Sequence, residues 1–327
     1  MVTSVPLPVV GLDVSKTSLA VCYQVEQQVK HLEVSNSKAG FQQLLKSCGP
    51  TCLFVLEATG TYYLAVTYYL HEQGGQVAVI NPLVIKRFIQ MHLGKSDRKD
   101  AQWLLHYGQQ QVVKTWQPDE QVVVECRQLE QVNEQLLKQK TMVRNSLEAL
   151  PQQPVVSKQA LQQLQHTLTL LTQQAEAVET QLLSLLAERF GLEIDLLCSV
   201  PGLGRKTASM LLLFAGGFAH LDNYRQLIAK AGLSPHEHSS GTSVRDKTRI
   251  TKMGGSLIRS KLFMCSFSAK KRNSACQALY NRLVAKGKSG KLALIAVCNK
   301  LLKQAFAIVG SGVPYQADFT SKMPLNA

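Results

Sequence analysis

The stretch that most constrains the fold is an apolar run near the start of the sequence, residues 7–14, which reads Leu-Pro-Val-Val-Gly-Leu-Asp-Val. Its β-branched residues predict a buried strand, and a second apolar run follows at residues 19–23. The first run contains one carboxylate, Asp13. An unpaired buried carboxylate costs several kcal/mol or becomes protonated, so Asp13 needs a metal ion, a cation or a sheet edge. A turn cap shared with Ser15 and Thr17 is the structural alternative.

The charge of the chain points to a polyanionic partner. The 327 residues carry a formal net charge of +14, which favours nucleic acid over a membrane as the partner. No apolar run of about 18 residues is present, so we expect no membrane span. The sequence also lacks a secretory signal pattern, and its eight cysteines form no CxxC pair. We therefore expect reduced core thiols, no zinc site and a cytoplasmic location.

Residues 1–117 alternate strand and helix patterns, which predicts a mixed α/β domain. Asn81-Pro82 is expected to stop the last strand, and a basic connecting segment follows it. The expected elements are strands at 7–14, 19–23, 29–34, 52–56 and 76–80, with helices after Ser37, after Gly60 and from near Ser96.

Residues 118–190 predict a helical arm. A Gln-rich stretch from 119 to 150 is typical of one long helix that ends at Pro151 and Pro154. From Leu161 to Leu185, apolar residues recur at alternating spacings of three and four, which indicates a coiled coil or helical hairpin. An ordinary amphipathic helix of a bundle is the alternative.

Residues 191–327 predict a mainly helical domain with two nucleic-acid signals. The first is a Pro-Gly-Leu-Gly turn before a helix, which resembles a helix-hairpin-helix motif and could equally be a plain helix–helix turn. The second is a tract from 242 to 291 with thirteen cations and one acid, interleaved with apolar residues, which favours a folded phosphate-binding face. The expected nucleic-acid-binding residues are Gly202, Gly204, Arg205, Lys206, Arg245, Arg249, Lys252 and Arg259.

Four carboxylates of the first domain form a candidate metal site. Asp13 lies in the first strand and Glu57 ends a central one, while Asp97 and Asp100 share one face near the start of a helix. Such a cluster could bind one or two Mg²⁺ or Mn²⁺ ions for phosphoryl transfer. Acids are also favoured in the first helical turn without any ligand.

Several short motifs together resemble one protein family. These are Gly-Leu-Asp-Val-Ser-Lys at 11–16, Glu-Ala-Thr-Gly-Thr-Tyr at 57–62, Asn81-Pro82, Lys-Ser-Asp-Arg-Lys-Asp-Ala at 95–101, Pro-Gly-Leu-Gly at 201–204, Ala-Gly-Leu-Ser-Pro at 231–235, Ser-Ser-Gly at 239–241 and Arg-Ile-Thr-Lys-Met-Gly at 249–254. In this order they resemble the DEDD transposases of the IS110 insertion-sequence family, which includes the Piv-type DNA invertases. The resemblance implies a RuvC-like, RNase H-like first domain whose metal ligands are the four acids.

The resemblance also implies the chemistry. It places a serine nucleophile at Ser240, with Ser239 and Ser243 as neighbouring candidates. The resemblance further implies cutting and rejoining of the element's DNA through a phosphoserine link, a circular excised intermediate and a structured guide (bridge) RNA.

From the residues themselves, we expect 236–243 to be a polar loop, in which a serine needs a base or a metal to become nucleophilic. His236 and His238 are candidate bases, but the metal cluster of the first domain is the better candidate, which predicts a composite site assembled from both domains. We also expect a homo-oligomer, either dimer or tetramer. We expect the protein to be cytoplasmic and associated with the nucleoid.

Three other functions fit part of the sequence. A RuvC-like junction nuclease would use the acids and water without a serine nucleophile. An actin-like ATPase would share the Gly-Leu-Asp motif and Thr17, but a second phosphate loop of the expected Asp-Gly-Gly type is missing. A non-enzymatic packaging protein would explain the charge but not the carboxylates.

Overall fold

The computed structural model describes residues 7–26, 28–89, 97–219, 221–236, 239–240, 244–245 and 249–317. Of Asp97, Ser239, Ser240, Val244 and Arg245 it describes the backbone alone. The chain forms two compact units, residues 1–118 and 119–327. The first is a mixed α/β unit, as predicted, and the second is mainly helical. The division into three domains, with boundaries after 117 and 190, stays a prediction.

The first unit is built on a five-stranded sheet with the order β3-β2-β1-β4-β5. Its strands are β1 (Val9–Val14), β2 (Ser18–Val25), β3 (Gln28–Ser35), β4 (Leu53–Glu57) and β5 (Gln76–Ile80). Strands β1, β2 and β3 pair antiparallel, whereas β4 is parallel to both β1 and β5. Each predicted strand is therefore present, within a few residues of its expected bounds.

Four helices accompany this sheet: α1 (Lys38–Cys48), α2 (Tyr63–Glu72), α3 (Pro82–Ile89) and α4 (Asp97–Gln110). The expected cap of α1 is confirmed, because the Ser37 hydroxyl accepts a hydrogen bond from the Gly40 N–H. The basic segment expected after Asn81-Pro82 begins with α3, a helix that was not predicted from the sequence. Pro82 is its first residue, and the Asn81 side chain accepts from the Leu83 N–H at 2.9 Å. Asn-Pro thus starts a helix as well as ending a strand.

The two faces of the sheet are covered by different helices. On one face, Leu12 and Leu56 join a buried cluster that includes Phe41 and Leu44 of α1. On the other, Val55 is buried in a cluster with Leu104 of α4. This places the sheet between two helical layers and puts α4 on the face opposite to α1.

The second unit contains seven helices in its described part. They are α5 (Gln121–Ala149), α6 (Lys158–Cys198), α7 (Arg205–Ala215), α8 (Tyr224–Lys230), α9 (Ser256–Arg272), α10 (Ser274–Ala285) and α11 (Gly290–Ser311). Four two-residue strands lie between α8 and α9: β6 (Pro235–His236), β7 (Ser239–Ser240), β8 (Val244–Arg245) and β9 (Arg249–Ile250).

Helices α5 and α6, together called the α5–α6 arm, pack against each other. Of the expected apolar seam, Leu171, Ala175 and Leu182 are buried. Helix α6 extends to Cys198 with a kink at Phe190, where the backbone departs from helical geometry (φ −126°, ψ 27°). A coiled coil between subunits stays a prediction.

Among the described helices, α11 is long and apolar enough to cross a membrane. It is also a core helix, because Leu294, Val297, Leu301 and Ala305 are buried in the main hydrophobic cluster of the second unit or beside it. Packing inside the second unit therefore explains the length and the apolar composition of α11. All eight cysteines are free, and five of them are buried.

Candidate active site

Asp13 and Glu57 lie side by side at the ends of two neighbouring strands. The parallel pairing of β1 with β4 runs from Val9 opposite Leu53 to Leu12 opposite Leu56. Asp13 and Glu57 occupy the next position on each strand. Adjacent strands are about 4.8 Å apart, so this register brings the two carboxylates to one edge of the sheet. Both residues are half-buried.

Helix α4 packs directly on this part of the sheet and runs antiparallel to β1. A Cβ atom on Gly11 would lie 2.5 Å from the Leu105 backbone nitrogen and closer still to the Ala101 carbonyl oxygen. Toward the other end of the helix, a Cβ on Gly108 would lie 2.8 Å from Cγ1 of Val9. Moving from Val9 to Gly11 along the strand therefore corresponds to moving from Gly108 back to Ala101 along the helix, so the two elements are antiparallel.

This antiparallel packing directs the first turn of α4 toward Asp13. Side chains two residues apart share a face of a strand, so Asp13 lies on the α4 side, one step beyond Gly11. The corresponding step on the helix leads from Ala101 back to the turn that contains Asp97 and Asp100. Asp100 is half-buried, whereas the Asp97 side chain lies outside the described part.

Three of the four acids predicted to bind metal, Asp13, Glu57 and Asp100, have described side chains. Among the described side chains, no group of three or more His, Cys, Asp or Glu residues could hold a metal ion together. The side chain of the fourth predicted acid, Asp97, is outside this set. One oxygen of Glu57 accepts a hydrogen bond from the Thr59 hydroxyl at 2.8 Å. Aligned carboxylates at one sheet edge are a donor set that suits Mg²⁺ or Mn²⁺.

A cavity of about 590 Å³ opens beside Asp13, and Arg98 of α4 contributes to its wall. Its lining is Asp13, Ser15, Ser18, Ala20, Val21, His31, Leu32, Glu33 and Arg98. The His31 Nδ1 atom is buried and has no hydrogen-bond partner among the described residues. Burial and the nearby Arg98 guanidinium lower the pKa of His31.

Sequence reasoning missed Arg98 and His31 as neighbours of Asp13. Arg98 could have been suspected, because it stands between Asp97 and Asp100 in the same motif. His31 carries no local signal: it reaches this cavity through the pairing of β2 with β3, in which it is opposite Cys22.

Ser240 lies in a narrow ladder of short strands rather than in the expected loop. Strand β6 pairs antiparallel with β9, and β7 pairs with β8, where Ser240 is opposite Val244. The β7–β8 pair, which contains Ser240, therefore lies between β6 and β9 in the sequence. Ser243 and Gly241 lie outside the described residues.

Arg259 ties together the two loops at the base of these ladders. Its Nη1 atom donates to the Ala231 carbonyl at 2.9 Å and to the Gly254 carbonyl. Two backbone hydrogen bonds join the same loops, from Lys252 to Gly232 and from Thr251 to Ser234, each 3.0 Å long. Gly232 has a φ of 65°, and a Cβ there would lie 2.5 Å from Arg259. Arg259, expected to bind nucleic acid, therefore has a bracing role in this structure.

The remaining predicted nucleic-acid residues have mixed surroundings. Arg205 pairs with Asp195 at 2.8 Å and Lys206 with Glu179, and both cations are more than half exposed. Arg249 and Lys252 are exposed, and the Arg245 side chain lies outside the described part. Such surface ion pairs contribute little stability and leave the cations accessible.

The two glycines of the Pro-Gly-Leu-Gly turn differ. Gly202 has a φ of 109°, and a Cβ there would lie 2.7 Å from the Ala269 side chain, so packing against α9 requires this glycine. Gly204 caps the start of α7, and a Cβ there would meet nothing within 4 Å. Packing therefore explains why residue 202 is a glycine but does not explain the glycine at position 204.

Two transposase family models match the chain. One, of the DEDD IS110 type, covers residues 10–156, and the other, described as the transposase IS116/IS110/IS902 family, covers residues 194–281. The chain is 28% identical to the pilin gene-inverting proteins of Moraxella bovis and Moraxella lacunata, over 94% of this chain and 97% of each relative. It is 23% identical to the transposase for insertion sequence element IS1328 of Yersinia enterocolitica, over 79% of this chain and 82% of that protein. The chain therefore belongs to the IS110 family of transposases and is a DNA transposase or recombinase.

Proposed function

We propose that this enzyme cuts and rejoins DNA of an insertion sequence with a cluster of four acids and a serine nucleophile. The observation that carries the proposal is the alignment of Asp13 with Glu57 at the ends of parallel strands, with the first turn of α4, which contains Asp100, directed toward them. An open sheet with parallel β1, β4 and β5 and an antiparallel extension supports a RuvC-like reading of the first unit. Active sites of such sheets lie at the carboxyl ends of their strands.

The four acids would hold Mg²⁺ or Mn²⁺ through carboxylate oxygens: Asp13, Glu57, Asp97 and Asp100. When bound, such ions stabilise negative charge on the attacking and leaving oxygens of phosphoryl transfer. The chain contributes the rigidity of the site. Strand pairing fixes Asp13 relative to Glu57, and the close contact of Gly11 with α4 fixes the helical pair.

Ser240 is proposed to attack the DNA. Its hydroxyl gives up a proton, its oxygen bonds to a backbone phosphorus, and one deoxyribose oxygen leaves as a hydroxyl group. A deoxyribose hydroxyl then attacks the phosphoserine, which frees Ser240 and rejoins the DNA. Each step exchanges one phosphate ester for another, so no external energy source is needed.

Sequence selection is proposed to come from a structured guide RNA. The exposed Arg249 and Lys252 suit phosphate contacts, which position nucleic acid but carry no sequence information. Pairing of an RNA with donor and target DNA would supply the missing specificity. The α5–α6 arm is proposed to join subunits into a dimer or tetramer, and the enzyme to act in the cytoplasm on nucleoid DNA.

Inversion of a DNA segment is the second candidate outcome. The relatives that match along nearly the whole chain are named for pilin gene inversion. Inversion and transposition use the same cutting and rejoining steps and differ in the arrangement of the two DNA sites. The proposed residues would serve either.

A nicked DNA substrate that cannot be rejoined tests the mechanism. The wild-type enzyme should remain attached to DNA in a denaturing gel, and peptide mapping should place the phosphate on Ser240. Asp13→Asn and Ser240→Ala should abolish the adduct. An adduct on Ser239 or Ser243 would correct the residue, whereas cleavage by Ser240→Ala without any adduct would favour a junction nuclease that uses water.

A further inference from the structure

A basic groove lies between α10 and α11, and its lining contains none of the site residues assigned above. It has a volume of about 400 Å³ and is lined by Ala275, Ala278, Leu279, Arg282, Ala296, Asn299, Lys300 and Lys303. Arg282 comes from α10, and Lys300 and Lys303 come from α11. Lys300 and Lys303 are three residues apart and so share one helix face.

The charge around this groove is of one sign. From 247 to 317 the sequence contains fourteen lysines and arginines and no aspartate or glutamate. Within the described ranges, neither Arg282, Lys300 nor Lys303 forms an ion pair with a carboxylate. Three cations therefore converge on a concave surface without local neutralisation, which favours an anionic ligand.

The floor of the groove is small. Three alanines, Ala275, Ala278 and Ala296, are part of its lining, which allows a ligand to approach the helix backbones closely. Asn299 also lines the groove, and its amide nitrogen donates to the Leu233 carbonyl at 3.2 Å, which holds this side chain in place.

The rim adds an aromatic ring. The Lys303 ammonium lies 4.7 Å from the centre of the Tyr224 ring. Arg225 and Lys303 both lower the pKa of Tyr224, chiefly through a hydrogen bond from Arg225. Cations interleaved with an aromatic face are typical of surfaces that hold a nucleic-acid strand.

We infer that the α10–α11 groove binds the phosphodiester backbone of a nucleic acid, with Arg282, Lys300 and Lys303 on phosphates. The inference extends the proposed function, because it adds a second contact surface for the same class of partner. An acidic protein would match the charge, but a nucleic acid also matches the enzyme class of this chain, a DNA transposase or recombinase.

Two triple variants test the groove in the full-length protein. In the first, Arg282, Lys300 and Lys303 become Gln; in the matched control, the exposed Lys30, Lys46 and Lys114 become Gln. Both lose three charges from +14. Fluorescence anisotropy with short duplex DNA and single-stranded RNA should show the slope of log Kd against log salt falling by about 2 to 3 in the groove variant alone. Equal slopes in the two variants would overturn the inference.

A single-site pair separates charge from shape. Ala278 is exposed on α10, so Ala278→Glu and Ala278→Gln should both fold and fill the groove equally. Ala278→Glu should weaken binding at least tenfold more than Ala278→Gln, because it adds a negative charge. Wild-type affinity in both would exclude the groove. Loss with RNA but not with DNA, or the reverse, identifies the strand that is bound.

This outcome is independent of the proposed chemistry. The groove is judged from binding alone, whereas the acids and Ser240 are judged from the covalent adduct on nicked DNA. If wild type forms the adduct and the groove variants bind nucleic acid as well as wild type, the groove inference is rejected and the proposed mechanism is kept. If the groove variants bind more weakly but wild type forms no adduct, the groove inference is kept and the mechanism is rejected.

Discussion

Gly11 lies directly beneath Ala101, so close that the carbonyl of Ala101 occupies the space where a side chain on Gly11 would begin. This contact fixes α4, and with it Asp100, relative to the strand that carries Asp13. Gly11, which has no side chain, therefore helps to set the distance between Asp13 and Asp100.

Gly11→Ala should destabilise the first unit and displace α4. The added methyl group meets backbone atoms that cannot move without shifting the helix, so we expect a loss of at least about 3 kcal/mol. Gly191→Ala is the control, because a Cβ there meets nothing within 4 Å. Urea unfolding should separate the two variants. A Gly11→Ala protein as stable as wild type would refute the close packing of α4 on β1.

Asp100→Asn should weaken binding of Mg²⁺ or Mn²⁺ at least about tenfold, since one of a few carboxylate ligands loses its charge. The substitution keeps the shape of the side chain, so circular dichroism should be unchanged. Glu72→Gln, at an exposed carboxylate in the same unit, is the control and should bind metal normally. Calorimetric titration measures both. Equal affinities would place the metal elsewhere.

The sheet and the strand-end acids were predictable because they depend on local pattern. Apolar runs indicated each strand, and they placed Asp13 in the first strand and Glu57 at the end of a central one. The direct pairing of these two strands is seen only in the structure. The meeting of α4 with β1 was not predictable, because it depends on two glycines at different points of the contact: Gly11 of β1 lies against Ala101, and Gly108 of α4 lies against Val9. Neither glycine carries a local sequence signal for this contact, which only tertiary packing creates.

The short strands around Ser240 and the hydrogen bonds of Arg259 show a second limit of prediction from the sequence. Strands of two residues carry no periodic signal, so residues 236–243 were expected as a loop. Arg259 stands in a tract rich in exposed cations, and sequence alone cannot distinguish a guanidinium that binds backbone carbonyls from one that faces solvent. Its partners, Ala231 and Gly254, lie on two different loops.

The apolar seam of the arm gives a prediction from two adjacent leucines. Leu171 is 8% exposed and Leu170 is 45% exposed. Leu171→Asp buries an unpaired charge and should cost at least about 3 kcal/mol. Leu170→Asp should change monomer stability by less than about 0.5 kcal/mol. If the arm joins subunits through its exposed face, Leu170→Asp should nevertheless dissociate the oligomer in light scattering. An intact oligomer would assign subunit contacts to another surface.

Buried thiols should be unreactive in the native protein. Burial raises the pKa of Cys48 and Cys298 to about 12, and that of Cys22 and Cys276 to about 11. At pH 8 only about one such thiol in a thousand is ionised, against roughly a quarter of ordinary thiols. Reaction with a disulfide reagent should therefore be at least about a hundredfold slower than in urea. Rapid native labelling would contradict the burial of these residues.

The same pKa shifts set a direction for alkaline stability. The folded-state pKa lies above the unfolded value, so the unfolded chain releases these protons first as the pH rises past about 8.5. The free energy of unfolding should fall above that pH and be unaffected by these thiols below it. Replacing Cys298 by Ala should flatten this decline, which urea titrations at several pH values would measure.

Arg259 and Arg249 separate bracing from nucleic-acid binding. Arg259→Met removes the donor that joins the Ala231 and Gly254 carbonyls, so we expect a loss of about 2 to 3 kcal/mol and poor positioning of Ser240. Adduct formation on nicked DNA should fall sharply, while the salt dependence of DNA binding stays near that of wild type. Arg249→Met should do the reverse: its side chain is exposed, so stability should be unchanged and the salt slope should fall by about 0.9. Arg259→Lys provides the decisive comparison, because it keeps the charge but is shorter and lacks the guanidinium Nη1 atom that donates to both carbonyls. If Arg259→Lys restored adduct formation fully, charge rather than bracing would be its contribution, and Arg259 would return to the phosphate-binding face.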